Sequence, residues 1–133
     1  ILKGMYKFKT SDKKKKLKHR AQLMGAGPIM NQVLKAQQLL EKYDVAADVW
    51  SITSFKELRR DGLETDRWNR LHPASKPKKA YITECLENEE GPVVIASDYM
   101  KILPDGLAPW SPKPIVSLGT DGFGRSETRE ALR

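Results

Sequence analysis

Cysteine and histidine are almost missing from this sequence of 133 residues. The one cysteine, Cys85, has no partner for an internal disulfide, and the two histidines, His19 and His72, have no nucleophile beside them in a recognisable elbow. The neighbouring carboxylates of Glu84 and Glu87 disfavour a thiolate at Cys85. We therefore expect structural roles for all three residues, no catalytic residue among them, and a reducing, cytoplasmic setting.

Long hydrophobic runs are also lacking. No apolar stretch approaches the ~20 residues that span a bilayer, and no charged-then-apolar leader opens the chain, so we expect no membrane partner. The length suits one domain around one core. Because the sequence opens without Met and stops in a helix-forming stretch, we expect residues 1–133 to be a single domain of a longer chain.

Acidic residues are scarce only at the start of the chain. The net charge is +7, yet residues 1–20 hold nine Lys or Arg against one acid, whereas residues 21–133 hold 15 basic and 16 acidic side chains. The excess is concentrated in the lysine run at 13–18, which has no aromatic residue for stacking on bases. We favour a solvated loop there over a polyanion site and expect no nucleic-acid partner.

Strands and helices alternate along the sequence. Apolar and β-branched patterns predict five strands, at residues 4–9, 21–24, 45–52, 93–96 and 114–118. After the second strand, Pro28 suits a first helical turn, and Ile29, Val33, Ala36 and Leu40 recur at helical spacing. The crossovers are long enough for parallel pairing, so the fold class predicted is α/β, a three-layer α/β/α sandwich around a mostly parallel five-stranded sheet.

The middle of the chain carries several helix signals. Ser54 or Thr53 is expected to cap a helix that Gly62 interrupts, and Thr65-Asp66 to start a second, short one. Further along, residues 80–87 read as a short helix with Tyr81, Cys85 and Leu86 turned inward. Asp98 is expected to cap the next helix, which breaks at 104–106 before Trp110.

Two sequence patterns are candidate ligand sites. Gly25-Ala26-Gly27 between a strand and a helix resembles a phosphate-binding turn, which would suit a small nucleotide-binding protein, but position 30 is Met rather than a third glycine and Pro28 lacks an amide. The acidic residues at 84–90 lack the spacing of a calcium loop. Plain structural roles are favoured for both, so no cofactor-binding or metal-binding residue is predicted, and the three tryptophans are assigned to packing.

The last strand leads into a glycine-rich turn, GTDGFGRS at 119–126. Glycines on both sides of Phe123 suggest backbone angles that other residues avoid, and Ser126 suits a helix cap. Arg125 beside Asp121 is interpreted as an ion pair fixing the turn rather than as an anion clamp. The interface or structural turn is therefore predicted to comprise Asp121, Gly122, Phe123, Gly124, Arg125 and Ser126.

This turn belongs to a wider resemblance. Together with DVWSITSFKELRRDGLETDRWNRLHP at 48–73 and ASDYMK at 96–101, GTDGFGRSETREALR resembles the C-terminal domains of the homodimeric, thiamine-diphosphate-dependent decarboxylating components of bacterial pyruvate dehydrogenase complexes, which are transketolase-like enzymes. The resemblance implies that the strand at residues 4–9 is antiparallel to the rest.

The resemblance also implies a function for the longer protein. It would decarboxylate pyruvate on thiamine diphosphate with magnesium and pass acetyl to the lipoyl group of an acyltransferase component. The segments that bind the cofactor and activate it would lie in two other domains, leaving packing, contact with the second subunit of a homodimer, and regulation or docking to this one. A free-standing α/β interaction module of the same fold is the alternative.

Overall fold

The computed structural model describes residues 2–11 and 17–122. The strands are β1 (Met5–Lys9), β2 (His19–Ala26), β3 (Val45–Ile52), β4 (Val93–Met100) and β5 (Ile115–Thr120). The helices are α1 (Met30–Leu40), α2 (Phe55–Leu71), α3 (Tyr81–Leu86) and α4 (Ile102–Asp105), with 3₁₀ turns at Gly27–Ile29, Glu41–Tyr43 and Ala108–Trp110. Within these described residues, no helix is both long and apolar enough to cross a membrane.

The five strands form one mixed sheet in the order β1-β3-β2-β4-β5. Only β1 runs antiparallel, pairing Met5 with Ile52 on β3, whereas β3, β2, β4 and β5 are mutually parallel. The predicted α/β class and antiparallel first strand are confirmed.

Alternating side chains divide the core between the two faces of the sheet. On β2, Leu23 points toward α1, where it packs with Val33 and Val49. The next residue, Met24, points to the other face and joins Leu58 of α2 and Ile82 of α3. Helices therefore cover both faces, as expected for three layers; in the part of the chain that the structure describes, α1 packs on the first face and α2 and α3 pack on the second.

The helix after β3 is longer than predicted. Helix α2 runs unbroken from Phe55 to Leu71, so the expected break at Gly62 and the second cap at Thr65-Asp66 are wrong. Gly62 is tolerated because it is buried beneath the Trp110 ring, where a side chain would collide with the indole. The cap itself is confirmed, since Ser54 Oγ accepts a hydrogen bond from Glu57 N at 3.1 Å.

The predicted cap at Asp98 is wrong. Strand β4 continues to Met100, and the residue before α4 is Lys101. The predicted helix at 80–87 is confirmed as α3, but Ile82 and Leu86 are its fully buried residues, with Tyr81 and Cys85 only partly covered. Its first turn is held by α2, because Asp61 accepts a hydrogen bond from Tyr81 N at 2.6 Å.

Candidate functional site

A crevice of about 560 Å³ opens where β2, β3 and β4 end. The connection after β2 leaves on the α1 face and the connection after β4 leaves on the other, so this edge is a topological switch point, where open α/β sheets commonly bind ligands. Its walls come from the three strand ends, the 3₁₀ turn after β2, the start of α2 and α4. The lining residues are Ala26, Gly27, Pro28, Ile52, Thr53, Ser54, Phe55, Lys56, Asp98, Tyr99 and Leu103.

The turn Gly25-Ala26-Gly27 lies at this edge but is shaped for packing. A side chain at Gly25 would meet Met30 Sδ at 2.7 Å and Val33 Cγ2 at 2.9 Å, so α1 sits directly against it. Gly27 has a φ of 59°, a left-handed conformation that favours glycine. Pro28 follows at the start of the helical segment. The turn brings α1 close to the sheet, in agreement with the interpretation preferred from the sequence.

The two backbone amides just before α2 donate hydrogen bonds within the protein. The carbonyl of Gly4 accepts hydrogen bonds from Thr53 N at 2.9 Å and from Ser54 N at 3.1 Å. Gly4 has a φ of 94° and lies so close to the helix that a side chain there would meet Ser54 O at 2.8 Å. The amides of Thr53 and Ser54 are therefore already occupied, and Gly4, just before β1, fixes where α2 begins.

The turn after β5 lies at the same edge, and the structure describes it as far as Gly122. Lys101 Nζ lies 2.6 Å from Asp121 Oδ1, and Lys101 N donates to Thr120 O at 2.9 Å, so the turn is tied to the start of α4. Gly122 does not adopt a positive φ, so of the two glycines flanking Phe123 it is not the one that requires such an angle. Phe123, Gly124, Arg125 and Ser126 lie outside the described residues, so the Asp121–Arg125 pair stays a prediction.

One of the three tryptophans, Trp50, is buried, and the other two are partly buried. Trp50 is 4% exposed and donates its indole N–H to Gln22 Oε1 at 2.8 Å, and Trp110 donates to Asp66 Oδ2 at 2.9 Å. Trp68 stacks on His72 at 4.4 Å between ring centroids and lies under the ammonium of Lys78. These contacts explain all three rings as packing residues.

A buried carboxylate escaped the sequence interpretation. Asp48 on β3 is 3% exposed and accepts a hydrogen bond from Ser11 N at 2.9 Å. It also lies 3.3 Å from Arg20 and 3.5 Å from Lys7, so two cations compensate its charge. Through the bond to Ser11 N, Asp48 fixes the backbone just before the lysine-rich segment. The sequence shows an acidic residue inside an apolar strand, which was the available signal.

The remaining titratable candidates have structural surroundings. Burial, followed by contact with Cys85, raises the pKa of Tyr81 to about 12, and the Tyr81 hydroxyl donates to Met5 O at 3.1 Å. Burial also raises the pKa of Cys85, which keeps its thiol protonated. His19 is exposed at the start of β2, and His72 Nδ1 lies 2.9 Å from the Trp68 carbonyl oxygen.

Two of the four acidic residues at 84–90 form ion pairs. Glu87 pairs with Lys79, and Glu89 pairs with Lys7. Among residues 2–11 and 17–122, no three His, Cys, Asp or Glu side chains converge as a metal site would require. Most of the lysine run lies at 12–16, outside the described residues, so its solvated state stays a prediction.

Comparison with known proteins adds to this geometry. The family model described as the transketolase-like TK C-terminal domain matches residues 4–133. The chain is 50% identical over its whole length to the pyruvate dehydrogenase E1 component of Pseudomonas aeruginosa. It is 43% identical to the protein of that name from Escherichia coli and 41% identical to the one from Mycobacterium tuberculosis, again over its whole length.

These relatives are much longer than the chain. The matched region is 15% of the Pseudomonas aeruginosa and Escherichia coli proteins and 14% of the Mycobacterium tuberculosis protein. The similarity therefore concerns one region of a large subunit.

Proposed function

Because the chain belongs to the family of transketolase-like C-terminal domains, we propose that it is the C-terminal domain of a pyruvate dehydrogenase E1 component. The observation that carries the proposal is the 50% identity that extends over the whole chain. The longer subunit would decarboxylate pyruvate oxidatively in the cytoplasm, using thiamine diphosphate and magnesium, and would transfer acetyl to the lipoyl group of an acyltransferase component.

The described residues do not suit thiamine diphosphate. A diphosphate needs several free amides or converging cations. The Gly4 carbonyl accepts hydrogen bonds from the two amides just before α2, Pro28 has no amide N–H, and Lys56 is the one cation among the described residues lining the crevice. At the same edge, Lys101 is paired with Asp121. The proposal therefore places cofactor binding and the catalytic residues in the remaining domains of the subunit.

The role of this domain would then be to contact other parts of the assembled enzyme. Tyr99, Ile102 and Leu103 are 59%, 66% and 42% exposed beside the crevice, and three neighbouring apolar side chains suit a contact with protein. The predicted turn 121–126 continues from the same edge. We assign this surface to contact with the rest of the subunit or with the second subunit of a homodimer.

Two measurements test the proposal. The full-length subunit should reduce an artificial electron acceptor in the presence of pyruvate, thiamine diphosphate and magnesium. Calorimetric titration of residues 1–133 alone with the cofactor and magnesium should give no saturable heat. Saturable binding at micromolar concentration would place a cofactor site in this domain, and a natural gene product no longer than this domain would favour a free-standing interaction module.

A matched pair of variants tests the assembly role. Ile102→Asp in the full-length subunit should raise the dimer dissociation constant or loosen the domain, as measured by sedimentation and limited proteolysis. Leu71→Asp is the control, because Leu71 is similarly exposed, at 64%, but lies at the end of α2. Equal effects of the two substitutions would contradict the assignment of the carboxyl edge as the contact surface.

A further inference from the structure

The α1 face of the sheet carries an open apolar groove. Val116 and Leu118 of β5 are 50% and 52% exposed on this face, next to Val94 and Ala96 of β4. A cavity of about 160 Å³ lies between these strands and α1, and a second of about 610 Å³ continues toward the start of the strands. Leu23 and Val94 line both cavities, so the groove follows the length of α1.

The dimensions of the groove match one helix. Helix α1 packs over β2 and β3, and β5 is two strands beyond β2. Neighbouring strands are about 4.8 Å apart, which places β5 about 10 Å from β2. Packed helices lie about 8–10 Å apart, so a second helix beside α1 would lie over β4 and β5.

The charged residues of the groove favour one orientation for a bound helix. Lys18 and His19 lie at the end of the groove where the parallel strands begin. Glu90 is the one acidic residue lining the groove in the part of the chain that the structure describes. A helix that runs antiparallel to the strands, as α1 does, would bring the negative end of its dipole to this basic end. The groove thus suits an amphipathic helix with an apolar stripe and a carboxyl end near Lys18.

We propose that this groove is filled by a helix from the same full-length subunit, supplied by polypeptide outside residues 1–133. The inference rests on the proposed function, under which a chain matching only about 15% of its relatives' length has ample polypeptide to supply one. Residues 123–133 contain three apolar side chains, Phe123, Ala131 and Leu132, which are too few to cover a groove as long as α1.

Thiol protection provides a direct test. Leu118→Cys is prepared in a Cys85→Ala background, both in residues 1–133 and in the full-length subunit, and its alkylation by iodoacetamide is followed by mass spectrometry. In residues 1–133 the rate should equal that of Leu63→Cys, a matched control on α2 with 46% exposure. In the full-length subunit, the rate at position 118 should fall at least tenfold.

The other outcomes overturn the inference. An unchanged rate in the full-length subunit would mean that nothing covers the groove. Slow alkylation already in residues 1–133 would assign the groove to the chain's own segment 123–133, or to a second copy if protection rises with protein concentration. Because alkylation does not require turnover, a subunit without pyruvate-dependent activity that still protects position 118 would refute the proposed function alone.

A second substitution at the same position tests the inference independently, in case the cysteine variant does not fold. Leu118→Glu should leave the denaturation midpoint of residues 1–133 nearly unchanged, because the side chain is half exposed there. In the full-length subunit it should lower the midpoint of this domain, since a carboxylate would be forced against an apolar helix. Equal small shifts in the two proteins would contradict a covered groove.

Discussion

At the scale of single residues, Gly62 shows how one contact reverses a helix propensity. In an exposed helix, Gly→Ala stabilises by about 1 kcal/mol. Here an alanine side chain would lie 2.7 Å from Trp110 Cε3 and closer still to two other ring atoms. The ring would have to move away from its hydrogen bond with Asp66. We expect Gly62→Ala to lower the free energy of unfolding by roughly 1–3 kcal/mol in urea denaturation, as overpacking does.

Gly122→Ala is the control for Gly62→Ala. Gly122 is exposed, its φ is not positive, and an added side chain would have no atom of the described residues within 4 Å. This substitution should change the free energy of unfolding by less than about 0.5 kcal/mol. A larger loss at Gly122 than at Gly62 would contradict the packing described around Trp110.

Tyr81 gives the protein a specific response to alkaline pH. Burial, with contact to Cys85, raises the pKa of Tyr81 from 10.0 to about 12, so the fold favours the protonated phenol. The stabilisation is complete below pH 10 and is lost as the pH rises through about 12. We expect Tyr81→Phe to flatten the decline of the denaturation midpoint over this interval.

Tyr43→Phe tests whether loss of any phenol has this effect. Tyr43 is 76% exposed, so its replacement should leave the alkaline decline as steep as in the unaltered chain. If Tyr43→Phe flattens the curve as much as Tyr81→Phe, the buried hydroxyl of Tyr81 is not the source of the pH dependence.

At the scale of elements, the start of α2 depends on Ser54. Its side chain accepts from Glu57 N, while its own amide donates to Gly4 O. Ser54→Ala removes the first bond and keeps the second, so it should destabilise the protein by about 1 kcal/mol in denaturant titration. Ser54→Asp retains an acceptor at the cap and should recover most of that loss; failure to recover would argue that the hydroxyl has another role.

The elements that could be predicted from the sequence are those with local signals. Strand β3 was predicted with the bounds it has, because an apolar β-prone run reflects burial on both faces. The break at Gly62 was wrong because the sequence signal is local whereas its compensation comes from Trp110, 48 positions away. The cap at Asp98 was wrong because β4 extends past Ala96 through the polar Ser97 and the exposed Asp98 and Tyr99, which give no apolar alternation to signal a strand.

The site was less predictable than the fold. Asp121 and Gly122 were named from the sequence, but the Lys101–Asp121 pair requires the end of β5 and the start of α4 to meet, which depends on topology. The crevice itself requires three strand ends from residues far apart in sequence. The compensation of Asp48 by Lys7 and Arg20 also depends on strand order, since β1 and β2 both flank β3.

At the scale of the whole molecule, the two faces of the sheet are unequally protected in residues 1–133. Val93 of β4 is 0% exposed beneath α2 and α3, whereas Val116 of β5 is 50% exposed on the α1 face. The same Val→Ala substitution removes two methyl groups from each environment. At Val93 it should lower the free energy of unfolding by roughly 2–3 kcal/mol, because lost transfer energy and a cavity add together.

At Val116 the same substitution should lower the free energy of unfolding by less than about 1 kcal/mol, because solvent already reaches the side chain and no closed cavity forms. Urea denaturation of the two variants of residues 1–133, side by side, measures the difference. Both positions are in parallel strands of one sheet, and the same atoms are removed at each. Equal losses would mean that Val116 is as well packed as Val93 in this chain and that its α1 face is already closed.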